Sequence, residues 1–81
     1  MTVNFYTTVG CHLCEEALVL LQVLQEQAQD QGTWLQINEV DIALEEVLMA
    51  EYGLRIPVIA SSGQEIGWPF SLEELSQFLN L

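Results

Sequence analysis

The tetrapeptide Cys11-His12-Leu13-Cys14 lies between an apolar segment and a long helical pattern, and this position constrains the fold more than any other feature. Residues 3–9 have the composition of a strand that runs into a loop, and an amphipathic helical pattern begins at Glu15. Two thiols are therefore expected where a strand passes into a helix. Unpaired N–H groups at a helix N-terminus stabilise a thiolate and lower the pKa of a cysteine there. Cys11 is accordingly predicted to be a nucleophile at neutral pH.

A Cys-x-x-Cys pair is also found in zinc sites, and two cysteines can simply be buried, inert residues. A structural zinc site needs four ligands, whereas this chain offers Cys11, Cys14 and its only histidine, His12. Adjacent residues at a helix start point about 100° apart, so His12 cannot easily share one tetrahedral centre with both thiolates. The strand-helix context favours redox chemistry without a metal. Metal binding through dimerisation and inert thiols remain open as alternatives.

Length and composition indicate one small domain that spans residues 1–81. Half of the residues are apolar (51%), which suffices for one compact core in a chain of this length. The N-terminal residues lack the basic segment of a signal peptide, and no apolar stretch is long enough to span a bilayer. We therefore expect a cytoplasmic protein without membrane association. In that compartment a cysteine pair is more often catalytic or metal-binding than structural.

The charge balance excludes two classes of partner. Twelve carboxylates and a single basic residue, Arg55, give a formal net charge of −11. Such a chain has no ordinary electrostatic route to nucleic acid or to an anionic membrane. Half of the acidic residues fall mainly in predicted first helical turns, where the helix dipole and solubility explain them; the alternative is electrostatic steering toward a basic redox partner. The residues concerned are Glu15, Glu16, Glu45, Glu46, Glu73 and Glu74.

Hydrophobic periodicity predicts seven elements in the order βαβαββα. Strands are expected near residues 3–7, 34–40, 56–60 and 64–67, and helices after Cys11 to about residue 31, at 41–52 and after Ser71. The predicted core face of the first helix consists of Cys14, Ala17, Leu18, Leu21, Leu24 and Ala28. Leu44, Val47 and Leu48 are expected to be the core face of the second helix, which ends at Gly53.

The third helix has a complete N-terminal signature. Ser71 and Glu74 have the spacing of a capping box, and Phe70 with Leu75 has that of a hydrophobic staple. Leu72, Leu75, Phe78 and Leu79 are predicted to face the core.

Two segments together resemble the glutaredoxin branch of the thioredoxin superfamily, and the likeness covers nearly the whole chain. They are Phe5-Tyr6-Thr7 leading to Cys11-His12-Leu13-Cys14, and Arg55-Ile56-Pro57-Val58-Ile59 after the second helix. The resemblance implies an α/β thioredoxin/glutaredoxin-like fold, with a four-stranded mixed sheet flanked by three helices, and an oxidoreductase of cell redox homeostasis. It also implies that Pro57 is the family's cis-proline, which faces the cysteines. Arg55 and Ile56 would then offer backbone groups to a bound thiol substrate.

Two positions depart from the family pattern at the glutathione site. Thr8 stands where glutaredoxins usually carry a lysine, and Gly67-Trp68-Pro69-Phe70-Ser71 replaces the Gly-Gly sequence that holds the glutamyl end of glutathione. The resemblance implies glutathione as a co-substrate and no tightly bound cofactor. The departures predict that glutathione is used only weakly. The expected reductant of the oxidised site is either glutathione or a thioredoxin-reductase-type enzyme.

The predicted chemistry is thiol–disulfide exchange. The Cys11 thiolate attacks a protein or small-molecule disulfide, and Cys14 resolves the mixed disulfide. His12 would stabilise the thiolate when protonated or carry a proton, although it equally fits a solvent-exposed spacer. Leu13 is expected to line an apolar docking surface beside Trp68 and Pro57, and Trp68 also fits a partly buried hairpin residue.

The sequence thus predicts a monomeric thiol–disulfide oxidoreductase. Two alternatives from other classes remain. One is an iron–sulfur or zinc carrier in which Cys11 from two chains holds the metal, and the other is a redox-silent binding adaptor.

Overall fold

The computed structural model describes all residues from Met1 to Leu81 and is built on a four-stranded mixed sheet. The elements are β1 (Thr2–Thr7), α1 (His12–Asp30), β2 (Gln36–Asp41), a 3-10 turn (Ile42–Leu44), α2 (Glu46–Tyr52), β3 (Val58–Ser61), β4 (Gln64–Gly67) and α3 (Leu72–Leu79). The predicted order βαβαββα is confirmed, with the 3-10 turn as an addition.

The strands lie in the order β2-β1-β3-β4. β1 pairs with β2 in parallel, whereas the β1–β3 and β3–β4 pairs are antiparallel. A parallel pair needs a crossover between its strands, and α1 provides it. The carboxyl ends of β1 and β2 therefore meet at one edge of the sheet, where Thr7 pairs with Asp41 and α1 begins a few residues later.

The main core fills the space between one face of the sheet and helices α1 and α3. The predicted face of α1 is buried, with Leu18 partly buried at its margin. Val3, Phe5 and Ile59 meet it from the sheet, and Leu75 and Leu79 from α3. Each fully buried aliphatic or aromatic side chain of this kind contributes about 1.5–3 kcal/mol relative to an exposed one.

A smaller cluster covers the opposite face of the sheet. Ile42, Tyr52 and Val58 are buried there, with Tyr6 and Leu48 packed against them. The rings of Tyr6 and Tyr52 are stacked with centroids 4.1 Å apart. Tyr52 thereby attaches the end of α2 to β1.

The predicted second helix is wrong in its start and in its core face. The Asp41 side chain accepts the N–H of Ala43 at 3.0 Å and caps a 3-10 turn, so the α-helix begins only at Glu46. This break changes the phase of the helical pattern. Leu44 and Val47 are 80% and 77% exposed, and only Leu48 of the predicted face contacts the core.

Two predicted strands begin later than expected. β2 starts at Gln36, because Trp34 is exposed and Leu35 turns into the core before the ladder begins. β3 starts at Val58, directly after Pro57, which has no N–H to give to a ladder. The Ile56–Pro57 and Trp68–Pro69 peptide bonds are both cis.

The start of α3 has the predicted capping box. Ser71 Oγ accepts the N–H of Glu74, and a Glu74 carboxylate oxygen accepts the N–H of Ser71, both at 3.0 Å. Leu75 and Leu79 are buried as expected, and Leu72 and Phe78 are partly buried against the same core. None of the helices combines the length and the apolar character needed to cross a membrane.

Candidate redox site

Cys11 is the N-cap residue of α1. Its backbone is extended (φ −83°, ψ 103°), and its Sγ accepts the N–H of Cys14 at 3.2 Å. The sulfur thus occupies the position that a serine or aspartate oxygen takes in an ordinary N-cap. Gly10 precedes it with φ +82°, a conformation that residues with a side chain rarely adopt. The loop geometry and the helix start together hold the sulfur against unpaired helix N–H groups.

Cys11 and Cys14 form a disulfide, with their Cα atoms 5.2 Å apart. The two residues differ in environment. Cys11 is partly exposed, whereas Cys14 is 2% exposed and belongs to the main core. A molecule that approaches the disulfide therefore meets the sulfur of Cys11 first.

The two residues between the cysteines face solvent. The side chain of His12 is 83% exposed, and its Nδ1 lies 3.6 Å from a Glu15 carboxylate oxygen. Leu13 is also exposed. Both side chains lie next to the disulfide in the chain, where an incoming substrate could contact them.

Arg55 is engaged by its own chain. Its guanidinium donates to the Glu51 carboxylate at 3.2 Å and to the Glu65 carboxylate at 3.4 Å. Its Nε donates to the Glu51 carbonyl, and the charged group lies 4.9 Å above the Tyr52 ring. The one basic side chain of the protein is thus surrounded by two carboxylates.

The segment before Pro57 has only part of its backbone free. The N–H groups of Arg55 and Ile56 both donate to the Tyr52 carbonyl, at 2.9 and 3.1 Å. A substrate that pairs with this segment would therefore use carbonyl groups. The ring of Pro57 is fully buried, so it lies beneath the surface and does not line it.

Trp68 lies on the α1 side of the sheet. It packs edge-on against Phe70, with ring centroids 5.1 Å apart, and is partly buried on the main core. A shallow groove of about 330 Å³ separates it from Glu16, Val19 and Leu20 of α1. Leu13 does not line this groove, and the docking surface expected from Leu13, Trp68 and Pro57 stays a prediction.

A cleft of about 250 Å³ opens beside the disulfide. Its lining consists of Phe5, Thr7, Thr8, Val9, Gly10, Cys11, Cys14, Glu15, Leu18 and Glu39. A neighbouring cleft of about 380 Å³ shares Thr7, Thr8, Val9 and Glu39 with it and adds Asp41. Glu39 and Asp41 were not among the residues predicted for the site. Their position at the carboxyl end of β2 is the signal that could have found them, because ligands of α/β proteins bind at that edge.

The arrangement of the site does not include a ready metal centre. No group of three or more His, Cys, Asp or Glu side chains has the geometry to hold a metal ion. The chemistry that the site can perform with its own atoms is the making and breaking of a disulfide.

A mixed sheet in the order β2-β1-β3-β4, with a Cys-x-x-Cys disulfide at the start of α1, defines a protein with the thioredoxin-like fold. Thioredoxin 1 from the thermophilic eubacterium Thermosipho africanus is similar in fold, with a TM-score of 0.56 at 12% identity over 99% of this chain and 96% of that chain. A structural-genomics target protein from X. campestris is more similar than this thioredoxin in both fold and sequence. Its X-ray structure has a TM-score of 0.75 and 33% identity, over 96% of this chain and 95% of that chain.

Family comparison narrows the class further. The model of the Glutaredoxin-like domain family (DUF836) matches residues 2–80, so the chain belongs to this glutaredoxin-like family. A search of curated proteins gave no match.

Proposed function

We propose that the protein is a thiol–disulfide oxidoreductase that reduces disulfides with the Cys11–Cys14 pair. The observation that carries this proposal is the unequal placement of the two sulfurs. Cys11 is partly exposed and its Sγ accepts a helix N–H at 3.2 Å, whereas Cys14 is buried within the same first turn of α1. Thiol–disulfide exchange in two steps requires an accessible, stabilised thiolate for the attack on the substrate and a shielded second thiol for the resolution of the mixed disulfide.

The reaction begins with both cysteines reduced. The Cys11 thiolate attacks one sulfur of a substrate disulfide R–S–S–R′, the S–S bond breaks, and the thiolate R′S⁻ leaves and is protonated by water. Cys14 then loses its proton and attacks Cys11 Sγ, which releases RS⁻. Two electrons have passed from the cysteine pair to the substrate, and the protein holds the disulfide seen in the structure.

The helix start stabilises the attacking sulfur. The N–H of Cys14 points at Cys11 Sγ and becomes a charge-assisted donor when the sulfur is a thiolate. The second step is short-range, because the Cα atoms of Cys11 and Cys14 are only 5.2 Å apart. A separate reductant, such as a small thiol or a reductase-type enzyme, must then return both cysteines to thiols. We propose that the protein acts as a monomer.

Substrate recognition would use the groups around Cys11. His12 and Leu13 are exposed directly beside it, and the carbonyl groups of Arg55 and Ile56 are left for strand-like pairing with an extended substrate. We assign Trp68 a lesser role, because its groove lies along α1 and does not include either cysteine.

Trapping of the mixed disulfide tests the proposal. Reduced Cys14→Ser and Cys11→Ser variants are mixed with 2-hydroxyethyl disulfide and analysed by intact mass after acid quenching. Cys14→Ser is expected to accumulate a hydroxyethylthio adduct, since the resolving thiol is absent while the attacking one remains. Cys11→Ser is its matched control and should remain almost unmodified, because Cys14 is buried.

Equal adduct formation by the two variants would show that the sulfurs do not have separate roles. A parent protein that stays reduced in the same mixture would contradict the proposed activity itself.

A further inference from the structure

We propose that the physiological substrate is a cationic disulfide, one that carries positive charge next to its reacting sulfurs. This inference rests on the proposed function and names the substrate class for the same site. Two observations and one chemical argument carry it: carboxylates at the cleft beside the disulfide, the absence of a lysine or arginine there, and the charge that develops in the reaction.

The topology of the sheet brings Glu39 to the cleft beside the cysteines and Asp41 to the neighbouring cleft. Glu39 pairs with Phe5 and Asp41 with Thr7 in the parallel β1–β2 ladder. Alternate residues of a strand share a face, so both lie on the face of Ile37, which packs against the main core below α1. This is the edge of the sheet where α1 begins. Glu39 consequently lines one cleft with Cys11 and Cys14, and Glu15 of α1 lines it from the other side.

No lysine or arginine lies on this side of the molecule to pair with the carboxylates. Arg55 is the only basic residue, and it is paired with Glu51 and Glu65. Glu39 has no ion-pair partner, and the exposed His12 imidazole faces Glu15 at 3.6 Å. A concave surface with one sign of charge concentrates the potential, so the cleft attracts cations and repels anions.

The exchange reaction strengthens this preference. Negative charge moves from Cys11 Sγ to the leaving sulfur during the attack, and the one arginine of the protein is already paired with Glu51 and Glu65. An ammonium or guanidinium group on the substrate itself would compensate the charge. Glutathione disulfide carries carboxylates instead and would be repelled by Glu39 and Glu15. The cleft therefore favours a disulfide with basic neighbours, in a peptide or a small molecule.

Three disulfides of similar size separate charge from other properties: cystamine (cationic), 2-hydroxyethyl disulfide (neutral) and 3,3′-dithiodipropionate (anionic). Reduced protein freed of reductant is mixed with each disulfide. Its oxidation is followed by acid quenching, alkylation of the remaining thiols and intact-mass spectrometry. Each rate is divided by the rate of the same disulfide with 2-mercaptoethanol, which removes intrinsic reactivity. We expect cystamine to exceed dithiodipropionate by at least about tenfold at low salt, and added NaCl to reduce the ratio.

Charge-neutralising variants locate the effect. Glu39→Gln and Glu15→Gln each remove a carboxylate from the cleft, and Glu26→Gln is the matched control. Glu26 is an exposed residue of the same helix, roughly 22 Å further along its axis than Cys11. We expect the cystamine-to-neutral rate ratio to fall about two- to fivefold in each cleft variant and to stay unchanged in Glu26→Gln. Because the ratio uses one protein in both terms, a change in the Cys11 pKa cancels.

Two results would overturn the inference and leave the proposed function standing. One is rapid oxidation by the neutral disulfide with rates of the three disulfides that do not follow their charge. The other is a fall of the cystamine-to-neutral rate ratio in Glu26→Gln equal to that in the cleft variants, which would show that only the net charge of the protein matters. If none of the three disulfides oxidises Cys11, the proposed function fails and the charge preference fails with it.

Discussion

At the scale of single residues, the two cysteines show how position decides chemistry. Both have the same side chain and lie three residues apart, yet Cys11 Sγ accepts a helix N–H at a partly exposed N-cap while Cys14 is 2% exposed in the core. The difference arises from their places in α1: Cys11 is the N-cap residue before the first turn, whereas Cys14 lies within the first turn on the face that packs against the core.

Alkylation of the reduced protein measures the difference in reactivity between Cys11 and Cys14. With limiting iodoacetamide between about pH 6 and pH 8, Cys11 is expected to react at least about tenfold faster than Cys14, because it combines thiolate character with access. Peptide mass spectrometry gives the ratio of the two products. In urea the residues should react at nearly equal rates, which is the control. Faster modification of Cys14 in the native protein would reverse the assigned roles.

Arg55 shows what residue identity alone cannot reveal. The family resemblance assigns the backbone of Arg55 to substrate binding, and the structure places the charge of its side chain between Glu51 and Glu65. Glu51 lies four residues away along α2 and could have been foreseen as a helical ion pair. Glu65 lies on β4, and only the fold of the hairpin brings it to Arg55.

At the scale of elements, Tyr52 links the end of α2 to β4 by a side-chain hydrogen bond. The Tyr52 hydroxyl donates to a Glu65 carboxylate oxygen at 2.5 Å, and its ring stacks on Tyr6 of β1. The hydrogen bond to Glu65 is the main reason that the pKa of Tyr52 is raised above its ordinary value of 10.0, and burial adds to it. The protonated phenol is therefore the form that the folded protein favours.

Removing this hydroxyl should have a pH-dependent effect on stability. Tyr52→Phe is expected to lower the free energy of unfolding by about 1 kcal/mol at neutral pH, where the hydrogen bond is fully present. Because the folded-state pKa is raised, this contribution declines as the pH rises past 10.0, the value for the unfolded chain. Urea unfolding of parent and variant at neutral pH and above about pH 10 measures the difference.

Glu65→Gln is the control for that measurement, because the amide keeps an acceptor for the hydroxyl and removes the charge. Its alkaline loss of stability should be smaller than that of the parent. A difference between the parent and Tyr52→Phe that stays constant across this pH range would contradict the role assigned to the Tyr52–Glu65 hydrogen bond.

At the scale of the whole molecule, charge dominates. A net charge of −11 on 81 residues destabilises the compact state by self-repulsion, and the only two ion pairs of a basic residue both involve Arg55. The same charge that selects a cationic substrate at the cleft therefore acts against folding. Dissolved salt should relieve it, since the Debye length falls to about 3 Å at 1 M.

We expect NaCl to stabilise the protein. The urea midpoint should rise as NaCl increases from about 10 mM to about 0.5 M at neutral pH, because screening weakens the repulsion among carboxylates more than it weakens the Arg55 pairs. Near the isoelectric pH, about 4.1, the same salt should have little effect, which is the control. A midpoint that falls with NaCl at neutral pH would mean that attractive pairs outweigh the repulsion.

The sequence by itself determined the features that depend on near neighbours. The buried face of α1 follows from a spacing of three and four residues, and the Ser71–Glu74 capping box from side-chain contacts within one turn. The order of the elements and the place of the Cys-x-x-Cys motif at the start of α1 follow from the same local patterns. Local prediction failed at α2, where a side-chain cap at Asp41 broke the helix and exposed Leu44 and Val47.

Only the tertiary structure decided which charges surround the cysteines. Glu39 lies beside Cys11 because β2 pairs in parallel with β1 in one particular register, and Arg55 is occupied because the β3–β4 hairpin presents Glu65 to it. These contacts join residues that are distant in the chain, and a polar residue on a strand gives no local sign of its neighbours. The proposed redox chemistry depends on four consecutive residues, whereas the charge that we propose to select a substrate is assembled by the pairing of strands.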